Sequence, residues 1–308
     1  MRLLPLAVCA ALAVVPARAA EDGKVYPLAA KSLVLDVARA GTALLAVGDR
    51  GFVLKSADDG ATWAQQKSPV TVMLTGLRMQ DAQTGWAVGH DATILKTEDG
   101  GATWAVKHQD AELDTPLFDI WFDDDRRGTA VGAYGLIEKT TDGGATWVEA
   151  RVSDDEPHLY SVVRTLDGAL LAVGETGGIF KSTDGGEIWE LLPSPYDGTW
   201  FGVLATSDGT LFIYGLRGNL YRSADAARTW TKIDTGTEVS LTGAAQRADG
   251  GIVVTGLSGV VLTSKDGTAF VLSTLTDREA LAGAVETTSG KLLVFGEKGA
   301  HAAAEIKQ

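Results

Sequence analysis

A unit of the form Gly-x-x-Gly, followed about four residues on by Lys/Arg-Ser/Thr-x-Asp-x-Gly-x-Thr-Trp, recurs along almost the whole chain. Its first clear copy begins at Gly48 and ends in Ser56-Ala57-Asp58-Asp59-Gly60-Ala61-Thr62-Trp63. The equivalent glycines are Gly48, Gly89, Gly132, Gly174, Gly215, Gly256 and Gly296, spaced by 40 to 43 residues, and the aromatic endpoints Trp63, Trp104, Trp147, Trp189, Trp230 and Phe270 keep the same beat. A period of about 40 residues with four short apolar runs per copy is the signature of a propeller blade. Seven copies predict an all-β, seven-bladed β-propeller of four-stranded antiparallel blades over residues 20–308.

The third copy shows how one blade is written. Apolar runs at 117–122, 128–132, 135–140 and 146–149 supply four strands from the innermost outward, broken by Asp-rich and Gly-rich turns. On the inner strands, Asp36, Gly76, Asp119, Ser161, Gly202, Gly243 and Gly283 are read as one equivalent position, mostly small because blades converge on the axis. Large residues at Leu35, Leu74, Leu117, Leu159, Trp200, Leu241 and Leu281 are expected to fill the space between sheets. Asp36 and Asp119 depart from the small pattern, as channel-lining or hydrogen-bonded structural groups or as functional ones. The seventh copy supplies three strands, the last from Ala300 to Ile306, so Lys24-Val25-Tyr26-Pro27-Leu28 is expected to close the ring as its outer strand and hide two open edges.

Residues 1–19 read as a secretory signal peptide: Arg2, an apolar stretch from Leu3 to Val15, and an Ala17-Arg18-Ala19 cleavage site. A lipoprotein signal around Cys9 fits less well, because Val8 is bulky where a small residue is expected. The expected location is therefore periplasmic or secreted. Cys9 is the one cysteine and leaves with the leader, so no disulfide or thiol chemistry is expected. No later apolar stretch approaches the roughly 20 residues of a spanning helix. The net charge of −13 becomes more negative when Arg2 and Arg18 are removed, which argues against nucleic acid as a partner.

The aspartates of the repeat, Asp58, Asp99, Asp142, Asp184, Asp225 and Asp266, lie in the pattern known as an Asp box. Their expected role is structural: the carboxylate accepts turn N–H groups, the glycine supplies a positive φ, and the tryptophan packs beneath. Six carboxylates spread around a ring cannot converge on one substrate. A sialidase would need an arginine cluster, a Tyr/Glu pair and an acid Asp, and its Phe/Tyr-Arg-Ile-Pro segment is missing ahead of the first copy. The histidines His90, His108, His158 and His301 have no metal-ligand spacing, and no nucleophile elbow or phosphate loop occurs. No catalytic residue, metal or cofactor is assigned. The alternative from another class is an Asp-box glycoside hydrolase or a glycan-binding module.

The stretch from Gly85 to Trp104, with Gly132 to Trp147 and Gly174 to Trp189, resembles the repeats of the photosystem II stability/assembly factor family, and the likeness extends over all seven blades. That resemblance implies a lumenal propeller in photosynthetic organisms that binds newly inserted reaction-centre subunits. In other bacteria it implies an exported propeller serving another membrane-protein system, such as a transporter. The expected partner is a protein, met through exported loops of a membrane complex, and the propeller itself is expected to be a monomer. The family is associated with a basic docking patch, whereas the arginines here are scattered along an acidic chain.

In a propeller, the second-to-third-strand turns and the inter-blade connections emerge on one face, opposite the Asp boxes. The candidate binding residues there are Arg50, His90, Asp91, Tyr134, Glu175, Arg217 and Lys298, with Asp49 and Glu297 in the same turns. The connections add Asp154, Asp155, Glu156, His158, Tyr196, Asp197 and Arg278. Loops held by a rigid scaffold carry binding, and Arg and Tyr are frequent anchors.

Overall fold

The computed structural model describes residues 26–303 and is a seven-bladed β-propeller. The inner strands, blade by blade, are Val34–Ala40, Leu74–Met79, Leu117–Phe122, Leu159–Arg164, Trp200–Ala205, Leu241–Gln246 and Leu281–Glu286. Blades one to six are four-stranded antiparallel meanders, and blade seven has three strands among the described residues. The second strands are buried along nearly their whole length, because both faces of each blade are covered by neighbouring blades. Trp86 and Trp200 are the largest fully buried side chains.

Every inner strand carries the same irregularity. Its first residue faces the glycine that ends the second strand (Leu74 opposite Gly89, Leu117 opposite Gly132), and the pairing then skips one residue. This β-bulge leaves the second residue without a ladder partner and bends the strand. The glycine is there for space. Its φ is in the extended region at Gly132, but a Cβ would sit 2.3 Å from the Pro116 carbonyl oxygen. At Gly48, Gly89, Gly174, Gly215, Gly256 and Gly296 the same collision falls at 2.0–2.4 Å.

The bulge also corrects one alignment. Val34, not Leu35, pairs with Gly48 and occupies the buried position of Leu74 and Leu117, while Leu35 is the extra residue. The bulge residues are therefore Leu35, Thr75, Phe118, Tyr160, Phe201, Thr242 and Ala282, all half-buried. The outer strand of blade three also runs later than read, at Val148–Arg151.

Among the described residues the expected closing strand is not seen. Lys24 and Val25 lie outside the described residues, and Tyr26–Leu28 form a turn into a short 3-10 helix, Ala29–Lys31. Within the turn the Ala29 N–H donates to Tyr26 O and the Lys31 N–H to Leu28 O, the Tyr26 N–H donates to Gln65 Oε1 at 2.9 Å, and the Tyr26 ring packs on Phe52 at 5.3 Å. Pro27, with no N–H and a fixed φ, suits a turn at least as well as an edge strand. The third strand of blade seven is Gly299–Ala302, and Ile306 lies outside the described residues.

Blades one and seven meet through other contacts. The Arg39 guanidinium donates to the Glu286 carbonyl at 2.8 Å and pairs with Asp59 at 3.2 Å. Asp59 accepts from the Thr288 N–H and hydroxyl, each at 2.7 Å. Val34, Ala46 and Leu54 pack with Phe295 and Ala300 in one apolar cluster.

Gly132→Ala should lower stability by about 1–3 kcal/mol in urea unfolding, because the bulge carbonyl cannot retreat without shifting the inner strand. Unchanged stability would show that the glycine does not hold the bulge.

Candidate functional site

On the first face, each aspartate hairpin is a closed hydrogen-bond circuit. Asp58 Oδ1 accepts from the Ser56 hydroxyl and the Thr62 N–H, both at 2.8 Å, and Oδ2 accepts from the Thr62 hydroxyl at 2.6 Å. The Ser56 hydroxyl in turn accepts from the Gly60 N–H at 2.8 Å. The circuit repeats at Asp99, Asp142 and Asp225, loses one hydroxyl at Asp184 where Ile188 replaces threonine, and tightens by a residue at Asp266. The threonine hydroxyl is the first cause holding Asp58, Asp99, Asp142 and Asp225 down to about 2. In these four hairpins both carboxylate oxygens are occupied within the turn.

The axial channel opens on the same face as a cavity of about 750 Å³, lined by Asp36, Arg78, Asp119, Trp121 and Tyr214 among others. Its aspartates staple blade to blade. Asp36 accepts from the Val37 N–H and, in blade two, the Leu77 N–H, both at 2.8 Å. Asp119 accepts from the Ile120 N–H at 2.8 Å and, in blade four, from the Ser161 hydroxyl and Val162 N–H at 3.0 and 2.9 Å. Desolvation deep in the channel pushes Asp36 up to about 7 and raises Asp119, and burial likewise raises Tyr214. The Arg78 guanidinium lies 3.7 Å over the Trp121 ring, and its charge favours both carboxylates in their ionised form. These carboxylates are built into the seams.

The opposite face carries the candidate binding residues. Arg50, Asp91, Tyr134 and Arg217 occupy one position in successive turns, with Thr176 and Ser258, and all have φ between 52° and 56°. A non-glycine residue in the left-handed region costs free energy and is held there by its turn. Around the ring these residues stay apart. Among the described residues Arg50 pairs with its neighbour Asp49 at 3.4 Å, and Lys298 pairs with Asp277 at 2.6 Å, which raises its pKa. His90 is half-buried, and its backbone N–H donates to the Met73 carbonyl.

Two of the candidates do converge, through a residue of the connection between blades three and four. The Tyr134 ring meets His158 edge-on at 4.8 Å. The Glu175 carboxylate accepts the His158 backbone N–H at 3.2 Å, lies 3.8 Å from the His158 ring Nδ1 and accepts the Tyr160 hydroxyl at 3.5 Å. Below them, Tyr160 contacts Phe118 at 5.1 Å and Phe201 at 5.6 Å between ring centroids. Phe118, Tyr160 and Phe201 were not singled out from sequence. The signal was present, as aromatics at one repeat position in three successive copies, but the bulge had to be placed before that position could be seen. Among the described residues no cluster of His, Cys, Asp and Glu could hold a metal ion, and no helix is long and apolar enough to cross a membrane.

Residues 55–115 and 107–269 match the family described as Photosynthesis system II assembly factor YCF48. No curated protein matches. Among solved structures, YCF48 bound to D1 peptide is 19% identical with a TM-score of 0.70, over 95% of this chain and 100% of that one. YCF48 from Cyanidioschyzon merolae is 18% identical with a TM-score of 0.70, over 89% and 96%. A streptogramin B lyase is 13% identical with a TM-score of 0.77, over 88% and 93%. At these identities the likenesses show the shared propeller fold.

The two aspartate populations predict opposite pH limbs. The hairpin aspartates have folded pKa values below the unfolded value of about 3.9, so their stabilisation is full above about pH 4 and is lost as pH falls toward 2. Asp36 is the reverse: its contribution is full below about pH 4 and is lost as pH rises through about 7. Melting temperature against pH should show Asp99→Asn weakening the acid limb alone, and Asp36→Asn flattening the limb between about pH 4 and 7. Parallel curves for wild type and Asp36→Asn would refute the burial assignment.

Proposed function

The chain belongs to the photosystem II assembly-factor family, and from that premise we propose that it is an exported, non-catalytic propeller that binds protein. Its partner is an extended segment of a membrane protein complex, and binding assists the assembly or stability of that complex. The observation that carries this reading is the contrast between the two faces. On one face most hairpin aspartates have both carboxylate oxygens engaged inside their own turns. On the other, Tyr134 is 54% exposed and Arg50, Arg217 and Arg278 are exposed, all held in the left-handed region. A related solved propeller is a YCF48 bound to D1 peptide, so a peptide ligand suits this architecture. The leader-like residues 1–19 support export.

A glycoside hydrolase asks for two carboxylates free to act as acid and base or nucleophile. In the channel, Asp36 and Asp119 each have both oxygens bonded to backbone N–H groups, with the Ser161 hydroxyl added at Asp119. That disposition favours a binding role.

Arg50→Glu and Arg217→Glu, with Tyr134→Ala, should weaken capture of the partner from solubilised membranes by about tenfold or more and leave the melting temperature almost unchanged. Fluorogenic glycosides should not turn over. Equal loss of capture from substitutions on the aspartate-hairpin face would place the interface elsewhere.

A further inference from the structure

In a repeat protein the residues that make the fold recur in every copy, and those that break the repeat need another reason. The seven bulge residues ring the mouth of the channel on the proposed binding face. Four are Leu35, Thr75, Thr242 and Ala282, and the blades carrying them close without an aromatic there. Thr75 and Thr242 instead donate their hydroxyls to the Leu117 and Leu281 carbonyls of the next blade. The three aromatics are contiguous, Phe118, Tyr160 and Phe201 in blades three, four and five, and the central Tyr160 ring touches the other two. His158 stands over them, 6.4 Å from Phe118 and 6.2 Å from Tyr160. The Glu175 carboxylate is fixed at their edge by the His158 N–H and remains 38% exposed.

We propose that this aromatic mouth with Glu175 is a subsite for a cationic side chain, an arginine or lysine, of an extended peptide segment. The proposal rests on the protein-binding reading and names the chemistry that the same face selects. A guanidinium or ammonium gains from ring faces and from a carboxylate at once, and both gains grow where the site excludes water. Charge complementarity points the same way. The connection leading to His158 carries Asp154, Asp155 and Glu156, all exposed, with no lysine or arginine between Val152 and His158 and no ion pair among the described residues. From Glu175 a groove of about 430 Å³ runs outward past Glu156 to Phe180, Trp189 and Leu191. Leu191 is 62% exposed at its outer end. The occupant is thus a basic residue in the mouth followed by an apolar one in the groove.

The probe is a capped Gly-Arg-Leu-Gly peptide and its citrulline counterpart, which has nearly the same shape and no charge. Each is titrated into the full chain carrying ¹³C-labelled aromatic side chains and followed by NMR. The arginine peptide should shift the ring signals of Phe118, Tyr160 and Phe201 and bind about tenfold more tightly than the citrulline peptide. Glu175→Gln, which keeps an acceptor for the His158 backbone N–H, should remove that difference without changing the melting temperature. Tyr160→Leu should weaken both peptides. Equal affinity for the two peptides, an unaffected Glu175→Gln variant, or no ring shifts up to about 10 mM peptide would overturn the subsite. If Arg50→Glu with Arg217→Glu abolishes capture from membranes while Glu175→Gln retains it in full, the face binds protein and only the subsite falls. If neither affects capture, the protein-binding reading of this face falls with it.

Discussion

The contact on which the rest of the architecture depends is a backbone carbonyl pressed against a glycine. In each blade the residue before the inner strand points its C=O at the glycine that ends the second strand, with no space for a Cβ between them. That approach permits the bulge, and the bulge releases one residue per blade from the ladder. The inner strand can then pass close to its neighbours while the released residue stands at the mouth of the channel. One steric constraint thus fixes a residue type at seven places and frees the residue type at seven others. At the freed places the chain carries leucine, alanine, threonine or an aromatic without disturbing the ring.

The seams have their own stitching, and it differs from blade to blade. Asp36 and Asp119 cross two of them, threonine hydroxyls cross two more, and Lys55 and Lys181 reach the Gly100 and Ala226 carbonyls of the blades that follow. The seam between blades seven and one is held by the Arg39, Asp59 and Thr288 network together with Leu293, whose side chain lies where a Cβ on Gly60 would be. Gly60 has φ +89, so its place in the hairpin satisfies a backbone demand and a packing demand together.

The fold was legible because its determinants are local. The aspartate hairpin is complete within seven residues, and its period counts the blades whatever lies between. Legibility failed where residues far apart in sequence meet. From sequence Leu35 falls in the place that Val34 holds, because the bulge is visible only in the pairing with Gly48. The segment around Pro27 invites an edge-strand reading because the last blade lacks a strand; its described part is a turn anchored by Tyr26 on Phe52, and Lys24 and Val25 lie outside the described residues. The mouth cluster was hidden for the same reason. Tyr134 and Glu175 could be named as loop residues, but Phe118, Tyr160 and Phe201 come from three repeats and acquire meaning only once the ring brings them together.

The charge of the chain also reads differently in three dimensions. A basic docking patch was the expectation that came with the family resemblance, and scattered arginines were the departure from it. Much of that scatter is structural. Arg39 and Arg247 tie into Glu286 of blade seven, Arg164 pairs with Asp123 across a seam, Arg78 lies on Trp121 in the channel, and Arg127 closes its own turn on Asp124. Arg50, Arg217 and Arg278 remain on the face opposite the hairpins; Arg217 shares blade five with Phe201 of the aromatic mouth, while Arg50 belongs to blade one and Arg278 to the connection into blade seven. The net negative charge therefore does not describe a uniformly repelling surface. Many of its carboxylates are engaged in turns and seams, and Asp154, Asp155 and Glu156 are among those left exposed, in the connection that leads to the aromatic mouth.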